Sequence, residues 1–328
     1  MLLNDDISVY FGRSGCKVST VSRAIQFSMS LQDKKFSLSL QQVEDGSTIL
    51  RKFNAEGRLI EKSTFHSIKD KALQLELLAS KVGGQIATKS SLAQLIRSAK
   101  ELSEKCEHGE LEVQRTLIYE VANFNRVADA ILPLEGTPHF KRYLTMLTRG
   151  KLPPFTHKRT EASDYLWEIE LLSQLRKCSI TAEPSEPDIV ASFEGVKLGI
   201  ACKKVYSQAN LSKTLSNGVK QIKNSREAGF VAFDISPSEN VLRFAHKTEA
   251  RTYLDNIVRD FITQHEHLFK KYLTAGRSLF AFVSTSALIE IGANELANTM
   301  RSTSIWFIPG VSPESEALFK RFFDKVMS

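Results

Sequence analysis

Apolar positions alternate with polar ones along the first part of the chain, in ISVYF (7–11), AIQFSMSL (24–31) and KFSLSL (35–40). Period-two alternation predicts half-buried strands. TILRKFNAEGRLIEKSTF (48–65) repeats the pattern on either side of Asn54-Ala55-Glu56-Gly57, which predicts a hairpin. The period changes after residue 66. DKALQLELLASKV, SLAQLIRSAKELSEKC and ELEVQRTLIYEVANFNRVADAIL carry apolar residues at three- and four-residue spacing, the signature of amphipathic helices, with Gly83-Gly84 as a break. GKLPPFTHKRT (150–160) has no period and contains Pro153-Pro154, and it marks a boundary. The chain accordingly divides into a β-rich module (1–65), a helical region (66–150) and a C-terminal domain (151–328).

Beyond the boundary the order of elements is itself informative. A helix is predicted over 162–177, with Tyr165, Leu171, Leu172 and Leu175 on one side. Short strands follow at SITAE, DIVASF and VKLGIACKKV, then a helix around LSKTLSNGVKQIKNS and a buried strand at FVAFDIS. A long helix, EARTYLDNIVRDFITQHEHLFKKYL, and apolar strands at SLFAFVSTSALI and TSIWFIPG complete the pattern. The fold class is α+β or α/β, with a helix–three strands–helix–strand core in the C-terminal half.

Composition adds bounds. The chain has 328 residues, 42% hydrophobic and 25% charged, ordinary values for a globular protein of two or three domains. No apolar run approaches the ~20 residues of a membrane-spanning helix, and MLLNDDISVYFGRSG lacks a basic segment ahead of an apolar one. A cytoplasmic protein without membrane association is expected. Cys16, Cys106, Cys178 and Cys202 form no CxxC pair and read as free thiols. His265 and His267, two positions apart on a helix, point to different sides and read as ordinary histidines. GRSGCKVST (12–20) lacks the GxxxxGK[ST] spacing of a phosphate loop, which excludes that kind of ATPase site.

The chemistry-bearing residues lie in the C-terminal half. Pro187-Asp188 opens one strand, and Ala201-Cys202-Lys203-Lys204 closes the next. Alternation puts Ala201 and Lys203 on one face and Ile200, Cys202 and Lys204 on the other. Ile200 and Cys202 suit a packed face, so Lys203 should face a cleft and Lys204 is the weaker choice. On the preceding helix Glu168 shares the apolar side with Tyr165, Leu171, Leu172 and Leu175, where a carboxylate needs a partner. Glu170 groups with Trp167, Ser173, Gln174 and Lys177 and looks solvated. From Gly195 to Arg226 there are seven basic residues (Lys197, Lys203, Lys204, Lys213, Lys220, Lys223 and Arg226) and no acidic one, in a protein of formal net charge +7. Upstream, Glu161, Asp164, Glu168, Glu170, Glu183, Glu186, Asp188 and Glu194 form an acidic cluster, and such a cluster followed by an acid-free basic stretch fits a cation site beside a phosphate-binding face.

This order of elements and motifs resembles the PD-(D/E)xK nuclease superfamily, the restriction endonuclease-like αβββαβ fold, over about Ala162–Ser236. The resemblance implies that Asp188 and Glu168 are catalytic residues and, with the Cys202 backbone carbonyl, ligands of Mg2+ or Mn2+, and that Lys203 orients the attacking water. Gln221 falls where relatives often place a polar side chain against the lysine or the phosphate, and Lys204, Lys213, Lys220, Gln221 and Lys223 form the expected nucleic-acid-binding set. The acidic position of (D/E)xK falls on Ala201, which leaves room for a water in place of a third carboxylate. The implied activity is metal-dependent hydrolysis of nucleic acid, with double-stranded DNA as the expected partner and a role in restriction or phage defence by analogy. The alternative is a catalytically degenerate subunit that keeps the fold and binds nucleic acid or a partner protein. The N-terminal region is a candidate protein-binding part, and oligomeric state stays open.

Overall fold

The computed structural model describes residues 68–83, 86–107, 115–153, 159–225, 228–237, 241–273, 278–291, 297–308 and 310–327, together with the backbone of four strands between residues 24 and 65. Those strands, β1 (Ala24–Leu31), β2 (Lys34–Gln42), β3 (Thr48–Phe53) and β4 (Leu59–Phe65), pair in sequence order as an antiparallel sheet. The expected strand at 7–11, the turn at 54–57 and the 12–20 loop lie outside the described residues.

Four helices follow: α1 (Ile68–Lys81), α2 (Ser91–Glu107), α3 (Arg115–Ile131) and α4 (Phe140–Arg149). Gly83, at φ 67°, turns the chain at the end of α1, in the left-handed region that glycine reaches without strain. After the boundary come α5 (Glu161–Lys177), β5 (Thr181–Ser185), β6 (Asp188–Phe193), β7 (Val196–Lys204), α6 (Leu211–Ser225) and β8 (Ala228–Asp234), the expected order. β9 (Leu242–Phe244), α7 (Lys247–Leu273), β10 (Ser278–Ile291), β11 (Ala297–Phe307) and α8 (Pro313–Met327) complete the chain. β9 and α8 go beyond the elements expected from the pattern of the chain.

The second sheet has seven strands in the order β11-β10-β8-β7-β6-β5, with β9 paired to β10 off that path. β5, β6 and β7 form an antiparallel meander, β7, β8 and β10 run parallel, and β11 returns antiparallel. Glu194 and Gly195, both at positive φ (48° and 79°), make the two-residue turn between β6 and β7, as the twist of a tight hairpin requires.

Both faces of this sheet are covered, and alternation along its strands assigns each side chain. On β8, Phe230 and Ala232 join a core with Ile200 of β7, the leucines of α5 and the phenylalanines of α8. Val231 and Phe233 join the opposite core with Ala201, Leu211 and Leu215 of α6, and Phe261 and Phe269 of α7. The first core continues without a break through Leu75, Leu95, Phe124 and Leu144, so α1 to α4 share it with α5 and the sheet. The layers are therefore helices, sheet, helices.

α5 sits between α3, α4 and the sheet. Thr160 caps it, its side chain accepting from the Ser163 amide at 3.1 Å, and Glu161 and Asp164 at the first turn with Arg176 and Lys177 at the last suit the helix dipole. Nearly every side of α5 is buried, which corrects the expectation for Glu170. That residue is 7% exposed, and its carboxylate accepts from Arg126 of α3 and from Arg301 of β11, the latter at 2.7 Å. The polar side of α5 is thus the inner lining of a contact between elements far apart in sequence. Among the described residues, no helix is long and apolar enough to cross a membrane.

Candidate functional site

Ile189 faces Ile200 across β6 and β7, so in this antiparallel register Asp188 lies opposite Ala201 and its side chain shares that face. Lys203, two residues on, projects the same way at the carboxyl end of β7. The Asp188 Oδ2 atom accepts from the Cys202 amide at 2.7 Å and from Lys203 Nζ at 2.9 Å, and Lys203 Nζ also donates to the Cys202 carbonyl at 2.9 Å. α6 closes one side: Gln221 Nε2 donates to the Pro187 carbonyl at 3.1 Å and reaches Asp188 Oδ1 at 3.5 Å. Gln221 Oε1 is buried without a partner among the described residues.

Glu168 arrives from α5, on the opposite side of the sheet, and faces the same cleft of about 630 Å3 as Asp188, Cys202 and Lys203. Burial pushes its carboxyl up to about 7, and neighbouring Asp188 adds to the rise, while a hydrogen bond from the Tyr143 hydroxyl works against it. Tyr143 is fully buried on α4, and burial raises its own phenol. No sequence signal pointed to Tyr143, because it lies outside the motif-bearing segment and meets Glu168 only through the packing of α4 on α5. Burial also raises the Cys202 thiol, and Cys178 and Cys202 are free cysteines.

The structure brings Asp188, Lys203, Glu168, Gln221 and the Cys202 carbonyl together. It does not bring Lys204 to them as a free cation. Lys204 leaves the other face of β7 and pairs with Asp234, its neighbour across β8, whose carboxyl is 3% exposed. Burial would raise the Asp234 carboxyl, but Lys204 and Arg126 outweigh it and bring it down to about 2. Lys213, Lys220 and Lys223 are exposed on α6. Helical geometry puts Lys213 and Lys220 next to the cleft-lining Thr214, Asn217 and Gln221, and Lys223 on the far flank. Arg226 lies outside the described residues.

Ala201 also departs from expectation. Both faces of β7 are packed, and Ala201 is fully buried beneath α6, so its small side chain leaves no room for a water. Gly218 allows this approach: a Cβ there would stand 3.1 Å from Val231 and 3.6 Å from the Ala201 Cβ.

Among the described residues no group of three or more Asp, Glu, His or Cys side chains converges on a point suited to a metal. The candidate donors at the end of β7 are the carboxylates of Glu168 and Asp188 and the Cys202 carbonyl, all oxygen, and a hard divalent cation that keeps several waters accepts such a set. The Asp188 and Cys202 oxygens now bind Lys203, so a cation would displace that ammonium from them. Comparisons with protein-family models, with curated proteins and with solved structures return no match for this chain.

Proposed function

We propose that the protein is a metal-dependent nuclease of the PD-(D/E)xK type, acting on DNA, with α5 to β8 as its restriction endonuclease-like core. The observation that carries this reading is the convergence on Asp188. Its carboxylate is held by the Cys202 amide and Lys203, and Glu168 shares its cleft from the other side of the sheet.

Asp188, Glu168 and the Cys202 carbonyl would hold Mg2+ or Mn2+, which supplies an acidified water and neutralises charge on the phosphate when bound. The rest of the work falls to the chain. Tyr143 fixes Glu168 by its hydroxyl. Lys203 presents an ammonium at the cleft, able to orient a water by hydrogen bonding and to offset developing negative charge. Lys213 and Lys220 offer exposed cations for the backbone phosphates on either side of the bond to be cut.

A second reading, a subunit that binds nucleic acid without cutting it, draws support from Ala201, whose burial removes the usual place of a third carboxylate. Plasmid DNA incubated with the protein in Mg2+, Mn2+ or EDTA separates the two. The expected result is nicking or linearisation that requires metal and that Asp188→Asn and Lys203→Ala each lower by at least ~100-fold, with melting temperatures close to wild type. Binding without cleavage in either metal favours the second reading.

A further inference from the structure

α4 brings to the cleft a cation that the site so far leaves unused. Arg142 is exposed and lines the cleft. It donates to the Tyr165 hydroxyl at 3.3 Å, and its guanidinium lies 5.7 Å from the centre of the same ring. Among the described residues Arg142 makes no ion pair, whereas its neighbour in the cleft, Arg159, is paired with Asp164 at 3.0 Å. A guanidinium has five N–H donors in a rigid fork, and only one of them is engaged. The tyrosine ring holds that fork at the cleft in advance of any ligand.

The surroundings indicate which ligand suits it. Residues 136–160 contain six Lys and Arg and no Asp or Glu, the same bias as residues 195–226. The first run ends at α5 and contains Arg142 and Arg159, and the second contains Lys203 and α6, so the two acid-free segments meet at one cleft. Acidic side chains, Glu161, Asp164, Glu168, Glu186 and Asp188, line that same cleft. A small anion would meet them at close range, but a polyanion long enough to span the opening can place its charges on both basic rims. A nucleic-acid strand is such a polyanion.

We infer that Arg142 is a phosphate-binding residue on a second wall of the cleft, taking a backbone phosphate next to the one that lies against Asp188 and Lys203. This rests on the nuclease-type reading of the site, and it makes the helical region part of the nucleic-acid surface.

Binding is measured without metal, in EDTA, by the fluorescence anisotropy of a labelled duplex titrated at several salt concentrations. Losing one phosphate contact should reduce the slope of log affinity against log salt by about 1 and weaken low-salt binding roughly tenfold. Arg142→Ala should show both effects and Arg142→Lys a smaller loss, because lysine keeps the charge but not the fork. Paired Lys213→Glu and Lys220→Glu changes mark the opposite wall. Arg142 is exposed, so melting curves of its variants should match wild type. If Arg142→Ala binds as wild type does while the α6 variant loses affinity, Arg142 serves only Glu168 and Tyr165 and the inference is overturned. It is equally overturned if the wild type binds no duplex. Wild-type cleavage with unchanged Arg142→Ala binding removes this inference alone, and Arg142-dependent binding without cleavage in any metal removes the nuclease reading alone.

Discussion

A single buried carboxylate ties the chemistry of the cleft to its stability. Glu168 titrates near 7 in the folded protein against an ordinary value of 4.5. A carboxyl raised in this way leaves folding unpenalised below about pH 4.5, and stability is lost as pH rises from there to about 7, because the unfolded chain has released a proton that the folded one still holds. Glutamine has the same shape and can still accept from Tyr143, but it cannot ionise. Glu168→Gln should therefore match wild type in urea at pH 4.5 and exceed it by roughly 1 to 3 kcal/mol at pH 8. Saturating Mg2+ should narrow that gap by stabilising only the wild type.

The two adjacent lysines of β7 divide along similar lines. Lys204 neutralises the buried Asp234, so Lys204→Met should cost about 3 to 5 kcal/mol in urea. Lys203→Met, at a pair whose side chains are 17% and 20% exposed, should cost about 1 kcal/mol and, on the proposed function, act mainly on cleavage. A larger loss of stability for Lys203→Met than for Lys204→Met would reverse the two roles.

At the scale of elements, the strands were the most legible part of the chain. Alternation fixed which side of β7 each residue takes, and it separated Lys203 from Lys204 correctly because a strand has only two faces. What covers each face was not legible. Ala201 and Ile200 are both fully buried, one under α6 and the other under α5, and no local pattern distinguishes a covered alanine from one lining open space. The consequence is testable. Ala201→Glu would force a carboxylate among Leu211, Leu215 and Val231, so it should lower stability by roughly 3 kcal/mol or more. It should add no Mg2+ affinity in calorimetric titration. A gain in affinity at unchanged melting temperature would mean that α6 yields there. α8 was open to discovery, since Phe319, Phe322, Phe323 and Val326 recur at helical spacing behind Pro313. The amphipathic reading of α5 was incomplete for a different reason: Arg126 and Arg301, the partners of Glu170, stand 44 and 131 positions away.

At the scale of the molecule, the helical region and the sheet share one apolar core, and two features of the cleft depend on that union. Tyr143 and Arg142, consecutive on α4, face Glu168 and Tyr165 of α5, so the packing of α4 against α5 is also the construction of the site. The division at residue 150 describes a change of pattern along the chain, whereas the buried surface runs straight across it. That is why residues 162–236 by themselves suggest Asp188, Lys203 and Glu168 as candidates but not the tyrosine that holds Glu168.

The enclosure of α5 also sets how motion is distributed. A helix whose apolar side is buried in a core and whose polar side is locked by Glu170 to α3 and β11 has no partial opening that frees its amides. Deuterium should enter the middle of α5 only on global opening, at the slowest rate among the described residues. The solvated outer face of α6, which bears Lys213 and Lys220, should exchange sooner. Arg126→Ala would unlock one side and should bring α3, α5 and β11 forward together in a time course read by mass spectrometry. The acid of the cleft would then stand on a stiff element, opposite cations mounted on a more compliant one, an arrangement in which a flexible polymer is fitted by the side that can give.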